Sequence, residues 1–391
     1  MAEQSFFVDV DCYQQKKNGQ NAFGDSFQLK RFTDEGRVLA VLSDGLGSGI
    51  KANILATMTA TMILKFIEEG KDILKATEVI MNTLPVCQVR KISYATFSAF
   101  ECTEDGHIRI VEEGNPDFVH IRNGRVVEHE AEIITSTKFT NRHMHLYNFQ
   151  LEPEDRLVFC SDGVTQAGMG TNDYKLGWRR EGLISFLQDE IYRNPTVSSS
   201  QLAQDVVKEA IRKEPQRKSK DDVSALVVYF RKPRNLLIFT GPPYRQDRDY
   251  EYSKIFDDFK GRKAIVGGTT ANLIARELNR EIITEKYNKG MLPACSKMDG
   301  VDLITEGILT LTKVLEYLNE GYDRWPDDAA GRLIELLLDS DVIEFMIGSK
   351  LNQAHYDPDL PLELGIRKNV VKQLEKILSG RYIKRVNLKF I

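Results

Sequence analysis

Hydrophobic and polar residues follow different repeats in the two parts of this chain. Up to about residue 230, short runs of alternating apolar and polar residues predominate, and turn-forming sequences separate them. Such runs are typical of strands, and Asn123-Gly124 between two of them is a strong hairpin signal. Helical spacing of apolar residues appears over 51–69, 72–82, 181–192 and 200–213. The pattern predicts an antiparallel β core with helices outside it.

The first predicted helix, over 51–69, directly follows a glycine-rich segment. Four of its large apolar residues form one stripe, which we expect to face the core or a second subunit in a homodimer: Leu55, Met58, Met62 and Phe66. Four small residues would permit close packing: Ala52, Ala56, Thr59 and Ala60. A helix that begins in a ligand-binding loop is also able to carry movement to that loop, which is a hypothesis for regulation.

Beyond the segment Arg231-Lys232-Pro233-Arg234, predicted strands and helices alternate. Strands are expected at 236–240, 263–266, 301–305, 342–347 and 382–390, with helices over 252–259, 269–279, up to 317, 329–339 and 368–378 between them. Alternation of this kind is typical of an α/β domain. We therefore predict two domains, residues 1–232 and a smaller α/β domain over 233–391, the latter with a regulatory role.

Composition narrows the classes of function. The chain has 391 residues, 42% of them hydrophobic, and a formal net charge of −4, which gives no basic field for nucleic acid. No apolar run approaches the ~20 residues that span a bilayer, and no signal-peptide pattern opens the sequence. The five cysteines include no Cys-x-x-Cys pair. We expect a cytoplasmic protein with reduced thiols and neither nucleic acid nor a membrane as partner.

Four aspartates of the first part stand at strand ends or tight turns: Asp25, Asp44, Asp162 and Asp221. Any one of them alone is more typically a turn residue or a helix cap. Together they would form an oxygen-only cluster, which selects hard divalent ions such as Mg²⁺ or Mn²⁺. Two such ions roughly 3.5–4 Å apart are able to activate a shared water and clamp a phosphoryl group. A cation would also relieve the repulsion between converging carboxylates.

Several segments resemble the signatures of the metal-dependent PPM (type 2C) serine/threonine phosphatases. They are Asp44-Gly45-Leu46-Gly47-Ser48-Gly49, Ser161-Asp162-Gly163 and Asp221-Asp222-Val223-Ser224. Gly24-Asp25-Ser26 and Gly114-Asn115-Pro116-Asp117 are similar to elements of the bacterial branch typified by stage II sporulation protein E. The resemblance spans about residues 4–231 in the family's order. It implies an antiparallel β-sandwich flanked by helices, with the site at one end of the two sheets.

The resemblance also implies roles for single residues. Asp44 would bridge two metal ions, with the Gly45 carbonyl and Asp25 on one side and Asp162 and Asp221 on the other. Asp44, Asp162 and Asp221 would be the catalytic set, and the cofactor would be Mn²⁺ or Mg²⁺, two ions with a third left open.

Two positions depart from the family's pattern. Asp222 stands where many relatives have asparagine, so a ligand role for it does not follow from the resemblance. Leu46 stands where eukaryotic members often have a histidine, and leucine cannot donate a proton. The sequence therefore names no general acid for the leaving group.

For function, the resemblance implies a protein phosphatase. A metal-bridging hydroxide would attack phosphoserine or phosphothreonine on a signalling protein. Two other functions stay open: a non-catalytic metal-binding scaffold for signalling, and a hydrolase of a small phosphorylated metabolite. Activity towards a phosphopeptide and towards small phosphate esters would separate the three.

In the second domain, Gly267-Gly268-Thr269-Thr270 joins a predicted strand to a predicted helix. The free amides there could bind an anion, but capping of the helix by Thr269 or Thr270 is the interpretation we favour. Asp299-Gly300-Val301-Asp302 and Glu306-Gly307 lie near a similar junction and could line the same crevice. By analogy with related phosphatases, we hypothesise that this domain binds a small anionic ligand or partner and gates the first domain through the 51–69 helix.

Overall fold

The computed structural model describes residues 6–32, 35–47, 49–83, 95–135, 142–285, 293–321, 325–349 and 360–391. The chain divides into two compact units, Met1–Lys232 and Pro233–Ile391. Ser48 of the glycine-rich segment and Cys87 lie outside the described residues. The four described cysteines are free thiols: Cys12, Cys102, Cys160 and Cys295.

The strands of the first unit form two antiparallel sheets. In chain order they are β1 (Phe7–Gln15), β2 (Asp25–Phe32), β3 (Arg37–Gly45), β4 (Ala95–Thr103), β5 (His107–Glu113), β6 (Val119–Arg122), β7 (Arg125–Val127), β8 (Glu132–Thr135), β9 (His143–Gln150), β10 (Arg156–Cys160) and β11 (Val223–Arg231). One sheet has the order β1-β11-β10-β6-β7 and the other the order β2-β3-β4-β5-β9-β8. The chain ends of this unit pair with each other, because β1 lies antiparallel to β11 from Phe7–Arg231 to Gln15–Val223.

Five helices accompany these sheets: α1 (Ile50–Glu68), α2 (Ile73–Thr83), α3 (Asp162–Thr165), α4 (Arg179–Arg193) and α5 (Ser199–Lys213). Alternation along β3 shows how the layers are built. Ala40 and Leu42 enter a core shared with Phe159 and Leu226 of the other sheet, whereas Leu39 and Val41 pack under α1 and α2. Helices α4 and α5 cover the outer face of the other sheet. The predicted antiparallel β-sandwich flanked by helices is therefore confirmed.

The buried face of α1 differs from the predicted stripe. Its buried residues are Ala52, Ala56, Thr59, Ala60, Ile63, Leu64 and Ile67, whereas Met58 of the predicted stripe is 48% exposed. The small residues at the start of the helix let its backbone lie against the end of β3, so they, and not the larger side chains, form the contact. The expectation that the large apolar residues face the core was wrong for this half of the helix.

Helix α1 also corrects the statement that no segment is apolar enough to span a bilayer. By length and composition α1 is long and apolar enough to cross a membrane, with a mean hydropathy of 1.3 over 18 of its residues. Its seven buried residues pack on the sandwich, however, and long core helices of soluble proteins meet the same criterion.

Local predictions elsewhere in this unit had mixed outcomes. Asn123 and Gly124 both have positive φ and close the β6–β7 hairpin as their sequence predicts. His143 and His145 lie within β9, a strand that the sequence analysis did not predict. Their strand pairs with β5 and β8, and this long-range pairing is not visible in a short window of sequence.

The second unit contains a mostly parallel sheet. Its strands are β12 (Asn235–Thr240), β13 (Arg262–Val266), β14 (Ile283–Thr284), β15 (Ser296–Met298), β16 (Val301–Thr305), β17 (Val342–Ile347) and β18 (Arg385–Phe390). The order is β14-β15-β16-β13-β12-β17-β18. Neighbours from β16 to β18 are parallel, and the short strands β14 and β15 add an antiparallel edge.

Helices lie on both faces of this sheet: α6 (Asp249–Asp258), α7 (Gly268–Leu278), α8 (Ile308–Glu320), α9 (Ala329–Leu338) and α10 (Leu360–Gly380). Helices α6 and α7 pack on one face and α8, α9 and α10 on the other. The five parallel strands, counted along the chain, have the order 3-2-1-4-5 of a doubly wound fold. In such folds ligands bind at the carboxyl ends of the strands.

Candidate functional site

Two of the predicted site aspartates face each other on neighbouring strands. Asp25 is the first residue of β2, and its register partner is Asp44, near the end of β3. Asp25 is only 3% exposed, and its charge, after burial, raises the pKa of Asp44. Neighbouring carboxyl groups disfavour each other's charged form when no cation balances their charge.

The other two aspartates come from the opposite sheet. Asp162 is the first residue of α3, directly after β10, and Asp221 stands just before β11, the neighbour of β10. Burial, followed by the charges of Asp25, Asp162 and Asp221, raises the pKa of Asp44. Burial and the charge of Asp221 likewise raise the pKa of Asp162. The structure therefore brings all four predicted aspartates into mutual electrostatic range at one end of the sandwich.

This arrangement fits a hard divalent cation in its chemistry. Its donors are carboxylate oxygens only, which suits a hard cation. Burial raises the pKa values of Asp25 and Asp44, and the charges of neighbouring carboxylates raise them further. Within the described residues, no three histidine, cysteine, aspartate or glutamate side chains already stand together as a metal cage. The four aspartates therefore lie near one another, but their oxygens do not form a closed coordination shell.

A serine network fixes the orientation of Asp25. The Ser224 hydroxyl donates to Asp25 Oδ2 at 2.5 Å and accepts from Gln14 Nε2 at 3.0 Å. The Ser161 hydroxyl accepts from the Ser224 amide at 3.1 Å. Both serines belong to the motifs around Asp162 and Asp221, but the Ser224 bond to Asp25 was missed because it joins positions 199 residues apart.

Asp222 has a different role from its neighbour Asp221. Its Oδ1 accepts from the Lys17 amide at 3.1 Å and its Oδ2 from the Gly24 amide at 2.9 Å. The side chain is 2% exposed. Both carboxylate oxygens thus hold the loop that leads into Asp25, so Asp222 positions the site by anchoring this loop.

Substitution of Asp222 should separate anchoring from metal binding. Asp222→Ala leaves the buried Gly24 amide and the partly buried Lys17 amide without an acceptor, so we expect the free energy of unfolding to fall by about 2–3 kcal/mol. Asp222→Asn keeps one acceptor oxygen and should cost about 1 kcal/mol. Urea unfolding of the whole chain measures both. Loss of all metal-dependent activity in a folded Asp222→Asn protein would instead identify Asp222 as a ligand.

Two glycines allow backbones to meet at this site. A Cβ on Gly45 would lie 2.1 Å from the Ala52 carbonyl oxygen, and one on Gly163 would lie 2.0 Å from the Asp222 carbonyl oxygen. No side chain fits at either position. The Asp-Gly pairing in both motifs therefore has a steric cause, in addition to any role of the Gly45 carbonyl towards an ion.

The Gly114-Asn115-Pro116-Asp117 segment supports the strand that carries Asp44. Asn115 Oδ1 accepts from the Thr96 hydroxyl at 2.5 Å, and Asn115 Nδ2 donates to Ser98 Oγ at 3.1 Å. Thr96 is the register partner of Asp44 in β4. Asn115 therefore braces the neighbour of Asp44 rather than reaching the acidic cluster.

Comparison with known proteins places these features in a family. The family model for stage II sporulation protein E (SpoIIE) matches residues 34–231. SpoIIE of Priestia megaterium is 22% identical over 178 residues, which are 45% of this chain and 30% of that protein. SpoIIE of Bacillus subtilis (strain 168) is also 22% identical over 178 residues, 21% of its length. The matched part is thus less than a third of either relative.

Solved structures with similar folds include two phosphatases. The PP2C phosphatase domain of Bacillus subtilis SpoIIE, with a fragment of its regulatory domain, has 19% identity and a TM-score of 0.47, and the match covers 58% of this chain and 65% of that chain. The serine/threonine phosphatase of S. agalactiae has 18% identity and a TM-score of 0.37, with 57% and 99% covered.

The family match covers just over half of the chain and contains three of the four converging aspartates, whereas Asp25 lies outside it, before residue 34. Its limits, 34–231, fall within the first unit of the structure. The chain belongs to the stage II sporulation protein E family.

Proposed function

We propose that residues 1–232 form a metal-dependent protein phosphatase that hydrolyses phosphoserine or phosphothreonine on a signalling protein. The convergence of Asp25, Asp44, Asp162 and Asp221 at one end of the sandwich is the observation that carries this proposal. Membership of the SpoIIE family supports it. The cytoplasm is the proposed location.

Each residue of the site has a proposed task. Asp44 is central, with Asp25 and the Gly45 carbonyl holding one ion and Asp162 and Asp221 holding the other. When bound, Mn²⁺ or Mg²⁺ supplies an activated water and neutralises the charge of the phosphoryl group. Ser224 and Ser161 orient the Asp25 carboxylate, and Asp222 fixes the loop before it. Leu46 donates no proton, so the leaving oxygen is protonated from water.

Phosphate release from a phosphothreonine peptide tests this function. We expect release with Mn²⁺ and none after chelation, and faster release than from p-nitrophenyl phosphate at equal concentration. A preference for small esters would favour the metabolite hydrolase. A folded protein that binds Mn²⁺ but releases no phosphate from either substrate would favour the scaffold.

We also propose that the second unit regulates the first. The two units have separate hydrophobic cores, so a protein that ends at Lys232 keeps the whole sandwich. We expect its turnover or its apparent Mn²⁺ affinity to differ at least about threefold from the full chain, because loss of a regulatory domain shifts a two-state equilibrium. Equal turnover and equal Mn²⁺ affinity in the two proteins would contradict gating.

A further inference from the structure

Two helices of the second unit begin side by side at the carboxyl edge of the parallel sheet. Strands β13 and β16 are neighbours, with Val266 opposite Thr305. Each is followed by a glycine that serves as the N-cap of a helix, Gly267 for α7 and Gly307 for α8. A Cβ on Gly307 would lie 3.6 Å from the Gly267 Cα. The two helix N-termini therefore converge.

Neither N-terminus is capped by its N-cap side chain, since both N-cap residues are glycines. Of the two threonines that we expected to cap α7, Thr270 does not do so, because its hydroxyl has no hydrogen-bond partner within the described residues. The first amides of a helix have no acceptor within the helix itself, and the two helix dipoles add positive potential at the same place. Gly268 and Thr269 are exposed, so a ligand has access to this edge.

Two buried hydroxyls point to a ligand independently of the helix ends. Thr270 and Thr310 each stand three residues after their glycine N-cap, and they are 1% and 0% exposed. Neither hydroxyl oxygen has a partner in the part of the chain that the structure describes. Thr270 Oγ1 lies 3.5 Å from the Cβ position of Gly267. The Thr270 hydroxyl is therefore aimed at the Gly267 turn, in keeping with the lean of helical side chains towards the N-terminus.

The position of Glu306 narrows the kinds of ligand that fit this site. Glu306 Oε1 lies 3.9 Å from the Cβ position of Gly268, and Glu306 is exposed. A carboxylate beside the anion-binding amides disfavours a simple anion but accepts hydrogen bonds from hydroxyl groups. Leu309, 61% exposed in the first turn of α8, adds an apolar surface. A phosphate, a hydroxyl-bearing sugar and an apolar ring match these three features.

We propose that the converging N-termini of α7 and α8 bind a nucleoside monophosphate. Its phosphate accepts from the first-turn amides and from the hydroxyls of Thr270 and Thr310, and its sugar hydroxyls donate to Glu306. This site lies outside the acidic cluster and does not depend on the phosphatase function. Binding and hydrolysis are measured separately, so either is able to fail without the other.

Calorimetric titration of the full chain with AMP and with inorganic phosphate tests the site. Both titrations use chelated protein, in which the acidic cluster repels phosphate. We expect AMP to bind more tightly than phosphate. Gly268→Asp should weaken AMP binding at least about tenfold, because its carboxylate faces the phosphate. The control Asn319→Asp adds the same charge in the last turn of α8 and should bind as the wild type does.

Glu306→Gln should strengthen anion binding, whereas Gly268→Asp should weaken it. Removal of its charge should strengthen the binding of inorganic phosphate about two- to fivefold, the scale of one charge near a helix terminus. The proposal is overturned if AMP gives no binding heat at millimolar concentration, or if folded Gly268→Asp binds AMP normally. Equal affinities for AMP and phosphate would overturn the assignment of a nucleotide.

Discussion

Asp44→Asn is expected to lower Mn²⁺-dependent phosphate release by about 10²–10³-fold, the usual cost of removing one preorganised electrostatic group from an active site. The Asp44 carboxyl group interacts with Asp25, Asp162 and Asp221, so its charge is central to the cluster. Release from a phosphothreonine peptide at saturating Mn²⁺ measures the effect. Asp173→Asn, an exposed change in a loop, is the control and should leave the rate unchanged.

The same substitution should stabilise the metal-free protein. Burial and neighbouring carboxylates raise the pKa of Asp44. Its contribution to stability is therefore present below the unfolded pKa, near 4, and is lost as the pH rises towards the folded pKa. In chelator at pH 8, Asp44→Asn should gain about 1 kcal/mol or more in free energy of unfolding.

Melting curves at two pH values check this expectation. With chelator, Asp44→Asn should melt above the wild type by about 2–4 °C at pH 8, and the difference should shrink at pH 5. Mn²⁺ should raise the melting temperature of the wild type more than that of the variant. A variant that is less stable at pH 8 and gains as much from Mn²⁺ as the wild type would contradict the assignment of Asp44.

Gly163→Ala has the second large expected effect. Its new Cβ would lie 2.0 Å from the Asp222 carbonyl oxygen, and backbone cannot yield as a flexible side chain does. We expect the free energy of unfolding to fall by about 3 kcal/mol. Because Gly163 follows Asp162 and the displaced backbone adjoins Asp221, activity should also fall. Chemical unfolding and phosphate release measure the two effects.

Gly365→Ala is the matched control for Gly163→Ala. Gly365 lies in α10, and a Cβ there would meet no atom of the described residues within 4 Å. Alanine favours helix over glycine by up to about 1 kcal/mol, so this protein should be as stable as the wild type or more stable. If Gly163→Ala behaved in the same way, the contact between the Gly163 and Asp222 backbones would not be a constraint of the fold.

The sequence was sufficient to predict which aspartates converge, because each follows a recognisable local pattern. Asp44 and Asp162 come after apolar strands and before glycine, and Asp221 comes before another strand. The tasks of Asp222 and Ser224 could not be predicted, because their partners lie near Lys17, Gly24 and Asp25. Such pairs depend on which strands become neighbours, and local periodicity does not contain that information.

The sequence was also insufficient to predict which face of a helix is buried. The large apolar residues of α1 suggested the core face, but the close approach of its backbone to Gly45 selects the alanines instead. In the second unit, Thr270 had the residue type of a cap and the position of N3. The structure shows instead that the N-cap of α7 is Gly267, which has no side chain to accept a hydrogen bond.

The hydrogen bonds of Asp222 to the loop before Asp25 affect the order in which parts of the protein fold. Asp222 reaches back 198 residues to Gly24, and Ser224 reaches back 199 residues to Asp25. Contacts of such sequence separation carry a large loop-closure entropy and form late in folding. During synthesis the loop before Asp25 therefore waits for β11 to leave the ribosome. A chain that ends before β11 lacks the strand between β1 and β10, so one of its two sheets is incomplete and the acidic cluster is not assembled.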